Sequence, residues 1–196
     1  MLGYTARMVA TCLCAWGEGP VDALGTVRTA HRAWPGDCDP NFHVNEGAYL
    51  KIAGLARLAL WVRMGLTRAI VVGGLRPAAV SSAVTFHREI RPFARFCVAS
   101  RLMTWDGRYL YFEHRFEREG HDSARMDAAR VDAARVDAAR VDAARVIVRS
   151  VFRDGSGPVD AARVLAGLGH AGPAPALPPE LEHWARMREA GRGSPT

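Results

Sequence analysis

The sequence predicts an α+β fold in which an antiparallel sheet wraps one buried helix. Three features carry that prediction. A helical stretch over residues 45–65 is apolar nearly all round, the pattern of a helix enclosed by its own protein. One strand-like segment precedes it and four follow it. Asp106-Gly107, between two of those four, is a strong hairpin-turn dipeptide, so the strands it joins run antiparallel.

The elements follow in order along the 196 residues. The apolar run Met8–Trp16, with Arg7 in front of it, is far short of the roughly 20 residues that span a bilayer, and no small-residue cleavage site follows it. It reads as a short helix or strand laid on the domain, or as a frayed terminus. Residues 17–25 are a turn-rich link. From Thr26 to Trp34, Val27, Thr29, His31 and Ala33 fall on one side, a strand that Pro35-Gly36 breaks. Asp37–Glu46 has the composition of an ordered loop. In the helix from Asn45 to Gly65, Tyr49, Leu50, Ile52, Leu55, Leu58, Leu60, Trp61, Val62 and Met64 are apolar, and Lys51, Arg57 and Arg63 make no single polar face. Its length would be about 30 Å, enough to cross a small domain.

Four strands come next. Ala78–Glu89 alternates Val80, Ser82, Val84 and Phe86 with smaller or polar neighbours, and Arg91-Pro92-Phe93 ends it. Arg95–Trp105 aligns Phe96, Val98, Ser100 and Leu102. Arg108–Arg118 aligns Leu110, Phe112, His114 and Phe116, and Val146–Arg153 closes at Asp154-Gly155. Phe86, Phe93, Phe96 and Trp105 read as core, and His31, His87 and His114 as structural histidines. Residues 171–179 (AGPAPALPP) are expected to be an extended linker, 180–190 a short helix and 191–196 disordered. The organisation is therefore an N-terminal extension (1–23), one domain (24–169) and a C-terminal linker with a short helix (170–196).

Residues 126–145 are four near-identical pentapeptides, MDAAR and then VDAAR three times, and Val159–Arg163 repeats the unit once more. A period of five matches neither helix nor strand: in a helix Val131, Val136 and Val141 step by about 140° and never build a stripe. Ala and Arg still favour helix, and Asp127/Arg130, Asp132/Arg135 and Asp137/Arg140 are i,i+3 pairs worth about 0.2–0.5 kcal/mol each. The segment, about 122–145, is read as an insertion between the fourth and fifth strands, a solvated helix or mobile loop with nothing fit for chemistry.

Composition excludes several classes. Of 26 basic residues all but Lys51 are arginine, and they are scattered among acids without a basic block, so the net charge of +6 does not point to nucleic acid. Four cysteines without a C-x-x-C pair suit neither a disulfide scaffold nor a structural zinc site, and reduced thiols place the chain in the cytoplasm. No Walker A sequence, dinucleotide fingerprint or G-x-S-x-G elbow is present. Arg88, Arg91, Arg95 and Arg101 are either solvated strand arginines or contacts for the phosphates of a ligand.

The chemistry concentrates in Gly36-Asp37-Cys38-Asp39-Pro40-Asn41-Phe42-His43-Val44-Asn45-Glu46-Gly47-Ala48-Tyr49. Such a loop delivers acids, a histidine and asparagines to a helix N-terminus, whose unpaired N–H groups and positive dipole end can hold a developing oxyanion. An acid just upstream can attack an adjacent carbonyl or activate water. The alternative is that Asp39 or Asn45 only caps the helix.

GDCDP, ten residues from Asp39 to Tyr49 and an apolar helix resemble the 4-hydroxybenzoyl-CoA thioesterase group of the hotdog-fold thioesterases. The fuller run DCDPNFHVN, with FHREIRPFARF and WDGRYLYFEHRF downstream, is similar to the thioesterase-like superfamily within that fold. The resemblance covers residues 24–118 and 145–169. It implies a five-stranded antiparallel sheet wrapped around the long central helix, and homodimers or dimers of dimers with sheets joined edge to edge. It implies hydrolysis of an acyl-CoA or acyl-carrier thioester without metal or cofactor. Asp39 is then the catalytic base or nucleophile, the amide near Glu46 polarises the thioester carbonyl, and His43 and Asn45 orient the loop or the water. Asp37 supports the loop, Tyr49 meets substrate, and Arg88, Arg91 and Arg95 meet coenzyme A. Glu46 stands where the family commonly has a second Asn. Two other readings stay open: a non-catalytic hotdog protein that binds acyl groups or scaffolds a complex, and a hotdog acyl-CoA dehydratase.

Overall fold

The computed structural model describes residues 3–119 and 140–182. Five antiparallel strands, β1 (Thr26–Arg32), β2 (Arg76–Phe86), β3 (Arg95–Asp106), β4 (Tyr109–Glu119) and β5 (Arg140–Asp154), are ordered β1-β3-β4-β5-β2, and the two-residue β6 (Gly157–Pro158) pairs with β5. All pairings are antiparallel. Helix α1 (Tyr4–Gly17) packs on α2 (Glu46–Arg63), and α2 lies against one face of the sheet. Short helices α3 (Leu66–Val71) and α4 (Ala161–Ala166) complete the described elements. Among the described residues no helix is long and apolar enough to cross a membrane.

The burial follows the alternation. Val98, Ser100 and Leu102 on β3, and Leu110, Phe112, His114 and Phe116 on β4, are closed from solvent, as are Ile52, Ala53, Ala56, Ala59 and Leu60 of α2. Leu60, Trp61, Phe112 and Phe152 belong to one cluster; Tyr49, Ile52, Phe96, Phe116 and Val146 belong to the other. Part of the opposite face of the sheet is covered by residues 171–182, whose Leu177 and Leu181 pack with Met103, Tyr109, Tyr111 and Ile147.

Two expectations change. The last VDAAR copy, Val141–Arg145, is part of β5, neither a solvated helix nor a mobile loop; the copies before Arg140 lie outside the described residues. A register shift lets this happen: Phe116 faces Ala144 and the next residue, Glu117, faces Asp142, so Ala143 is the extra residue of a bulge. Ala143 and Ala144 are both buried, so the five-residue unit supplies two inward positions in succession. Phe86 and Phe93 are about half exposed, not core, because Phe86 ends β2 and Phe93 sits in the turn before β3. Met8–Trp16 is helical and lies on α2, and of the helix expected at 180–190 only the first residues fall within the described chain.

Candidate functional site

The segment from Trp34 to Gly47 is held by a network that starts at Asp37. A 3-10 turn at Pro35–Asp37 closes with the Asp37 amide donating to Trp34 O at 2.8 Å, while the Trp34 amide donates to Asp37 Oδ2 at 3.2 Å. Arg7 of α1 reaches across and gives Nη1 to both Asp37 oxygens at 2.9 and 3.0 Å. The Asp37 carbonyl accepts from the Asn45 amide at 2.9 Å, and Val44 donates to Ile90 O at 2.9 Å. Asp37 is therefore a buried anchor that ties α1, the loop and the start of α2 together.

Within this frame residues 39–43 form a tight reversal. The Asp39 amide donates to His43 O and the Phe42 amide donates to Asp39 O, with Phe42 in the left-handed region at φ 58°. That conformation is uncommon for an aromatic residue and belongs to the tight turn. Both Asp39 oxygens are engaged: Oδ1 accepts the Asn41 amide at 2.9 Å and Oδ2 lies 3.4 Å from His43 Nδ1. Two residues later Asn45 caps α2, its Oδ1 accepting from the Gly47 amide at 2.9 Å. A Cβ at Gly47 would stand 3.2 Å from that oxygen, so glycine leaves the cap undistorted. Glu46 is the first helical residue, where an acid complements the dipole.

A groove of about 430 Å³ opens at this helix end. It collects six of the residues the sequence singled out, Asp39, His43, Asn45, Glu46, Tyr49 and Arg88, together with Val44. Phe86, His87 and Glu89, which close its other side, were not foreseen as site residues. They come from the end of β2, forty residues on, and are fastened by the His87 and Arg88 amides, which both donate to Ala143 O at 2.9 Å. The only local signal was the residue content of FHRE. Arg91 and Arg95 lie outside the groove: Arg91 pairs with Glu89 at 2.7 Å, and Arg95 begins β3 opposite Arg32. The Arg91 hydrogen bond holds the Glu89 carboxyl below its ordinary range.

Tyr49 closes the inner end. Its ring is 3% exposed and meets Phe86 and Phe116 edge-on at 5.2 and 4.9 Å. Burial pushes its hydroxyl up to about 12, so it stays protonated. Cys38, next to Asp39, donates to Trp34 O at 3.4 Å, and burial beside Asp37 and Asp39 raises its thiol. Among the described residues no group of three His, Cys, Asp or Glu side chains is placed to hold a metal ion. A separate cleft of about 360 Å³ between α1 and β1 is lined by Arg7, His31 and Trp34 and includes none of the groove residues.

Chemically, the groove offers a carboxylate fixed by an amide, an imidazole beside it, the exposed start of a capped helix and an apolar wall. Residues 33–185 match the thioesterase-like superfamily. Over 82 residues, 42% of this chain, the sequence is 34% identical to Protein THEM6 of Xenopus laevis; the match spans 40% of that curated relative's length. In fold the chain is similar to the 4-hydroxybenzoyl CoA thioesterase of a Pseudomonas species. That likeness has a TM-score of 0.57 and 17% identity, and covers 73% of this chain and 98% of the other. It is also similar to a thioesterase superfamily protein of a Jannaschia species, with TM-score 0.55 and 19% identity over 71% of this chain and 78% of the other.

Proposed function

The chain belongs to the thioesterase-like superfamily, and from that premise we propose that it hydrolyses an acyl thioester in the groove at the start of α2. The observation that carries the reading is Asp39, a carboxylate held by the Asn41 amide and facing His43 in a groove that the first turn of α2 opens. In this reading Asp39 takes a proton from water as the water oxygen attacks the thioester carbonyl, or attacks that carbon itself. The amide near Glu46, at the positive end of α2, receives the developing oxyanion. The C–S bond breaks, and the leaving thiolate takes up a proton. Where water attacked, the carboxylic acid is released directly, with the proton passing from Asp39; where Asp39 attacked, water then hydrolyses the mixed anhydride to free the acid and the carboxylate. His43 keeps the second Asp39 oxygen in place, and Asn45 keeps the helix end aimed at the carbonyl. Arg88 suits the phosphates of a coenzyme A thioester, the substrate here, with no cofactor required.

The same reading takes residues 24–169 as the hotdog domain with α2 as its enclosed helix, and the stretch from about 122 to the start of β5 as an insertion. Two copies would join edge to edge through an outer strand of the sheet, β1 or β2. A reducing, cytoplasmic setting suits the four free cysteines. The test is hydrolysis of a panel of acyl-CoAs by the wild-type protein and by Asp39→Asn. Loss of about 10²–10⁴ in rate is expected if the carboxylate moves a proton in the transition state; equal rates remove Asp39 from the reaction. Glu46 favours a second reading, acyl binding without turnover, because it adds a carboxylate to a groove that already holds Asp39 and Glu89. Tight acyl-CoA binding with no hydrolysis in calorimetry would establish it, and multiple turnovers would exclude it.

A further inference from the structure

We infer, on the strength of the thioesterase reading above, that the Tyr49 ring is the floor of the acyl site and restricts this protein to compact acyl groups, short chains or a single ring.

Asp39 and the start of α2 fix where the thioester carbonyl lies. An acyl chain leaving that point between α2 and the sheet runs toward Tyr49, one turn into the helix. The ring has no room to swing aside. It is wedged edge-on between Phe86 and Phe116, and Phe116 is itself stacked on Phe96 at 5.9 Å. Phe96 in turn stacks on His31 at 5.7 Å. Moving Tyr49 means moving a row of rings that crosses the core, and close-packed interiors resist that.

Ala53, Ala56, Ala143 and Ala144 share its core cluster and are closed from solvent, beside the larger Ile52, Phe116, Val146 and Val148. Shortening the side chain at 49 therefore opens volume that the small residues of the cluster leave unfilled. The groove on the open side, about 430 Å³, is at the lower end of the roughly 300–1,000 Å³ of ligand pockets, and it must also admit the thioester and its carrier arm. The half-exposed Phe86, in edge contact with Tyr49, extends the same aromatic floor toward the open side of the groove.

The test compares kcat/KM for butyryl-, benzoyl-, octanoyl- and palmitoyl-CoA. The wild-type protein is expected to favour butyryl- or benzoyl-CoA over palmitoyl-CoA by about tenfold or more, since single methylenes in a closed pocket already discriminate by about that much. Tyr49→Ala, shown folded by circular dichroism, should raise the octanoyl-to-butyryl ratio by about tenfold, whereas Tyr49→Phe should keep the wild-type ratio. If Tyr49→Ala does not fold, Tyr49→Leu keeps the core apolar while shortening the block, and should move the ratio the same way. Equal efficiency on palmitoyl- and butyryl-CoA, or an unchanged ratio in a folded Tyr49→Ala or Tyr49→Leu protein, overturns the inference. If the wild-type protein cleaves none of the four, the thioesterase reading fails by itself. The floor is then decided by calorimetry with the non-hydrolysable thioethers S-butyl-CoA and S-hexadecyl-CoA: preference for the short one supports it and equal affinity overturns it.

Discussion

His114 and His31 enter the fold without their protons. His114 is closed from solvent on β4, its Nδ1 bonded to Ser100 Oγ at 2.8 Å, and burial holds it well below the ordinary histidine value, with Arg57 pushing in the same direction. His31, bonded through Nε2 to Thr29 Oγ1 and stacked on Phe96, is lowered to about 4, first by burial and then by Arg7. The sign of the effect on stability follows. Between the unfolded value of about 6.5 and the depressed folded value, the unfolded chain binds protons that the folded chain refuses, so stability is lost as pH falls through that window. Each histidine contributes at most about 1.4 kcal/mol per pH unit. Urea unfolding at pH 7.5, 6.0 and 5.0 should show a declining free energy, and His114→Asn should decline less steeply over the same range. A profile identical to wild type would mean that His114 is protonated in the folded chain. The charged pairs on the other face act lower: burial by itself would raise the Glu113 carboxyl, but Arg101 and Arg145 together outweigh it and hold the group below its ordinary range, so its contribution is lost only as pH falls below about 4.5.

At the scale of elements, β5 shows what the repeat does. Only its last copy has a described structure, and there the Ala143 carbonyl fastens the His87 and Arg88 amides that close one side of the groove. The tandem copies are near-identical, so removing residues 126–140 leaves VDAAR directly before Val146 and the sequence of β5 from Val141 onward intact. That deletion is expected to keep the free energy of unfolding in urea within about 0.5 kcal/mol of wild type, and to keep acyl-CoA hydrolysis unchanged. A collapse of either would show that the earlier copies contribute to the fold. The strand pairs and α2 were legible in the sequence because alternation, Asp106-Gly107 and the Asn45 cap are local signals. The loop 37–46 was legible for the same reason: its anchor, carboxylate and cap follow one another in the chain. The Phe86–Glu89 wall was not, since it depends on a bulge in a strand more than fifty residues away. Nor was the exposure of Phe86 and Phe93, which a strand end and a turn impose against the apolar pattern.

For the whole molecule the same distinction separates the two faces of the sheet. One face is packed by α2. The other is covered in part by residues 171–182, a proline-rich stretch that composition describes as a linker but that the structure uses as a strap. Thr104 Oγ1 donates to Pro175 O at 2.5 Å, Leu177 and Leu181 pack among Met103, Tyr109, Tyr111 and Ile147, and Glu180 joins Arg145 at 2.9 Å. Arg145 also binds Glu113 at 2.6 Å, and Glu113 binds Arg101 at 2.7 Å, so the strap ends on a chain of charges carried by the sheet itself. Strap and sheet therefore bury each other's apolar surface, and neither the outer face nor residues 171–182 is satisfied alone. Ending the chain after His170 should lower stability by about 2–4 kcal/mol, from the burial lost at two leucines and at the residues they cover, and should increase binding of a hydrophobic dye. Leu181→Ala on the full chain should take a smaller share, about 2 kcal/mol, because Leu181 is 3% exposed. An unchanged urea midpoint in both variants would show that the outer face needs no cover and that the strap only rests on it.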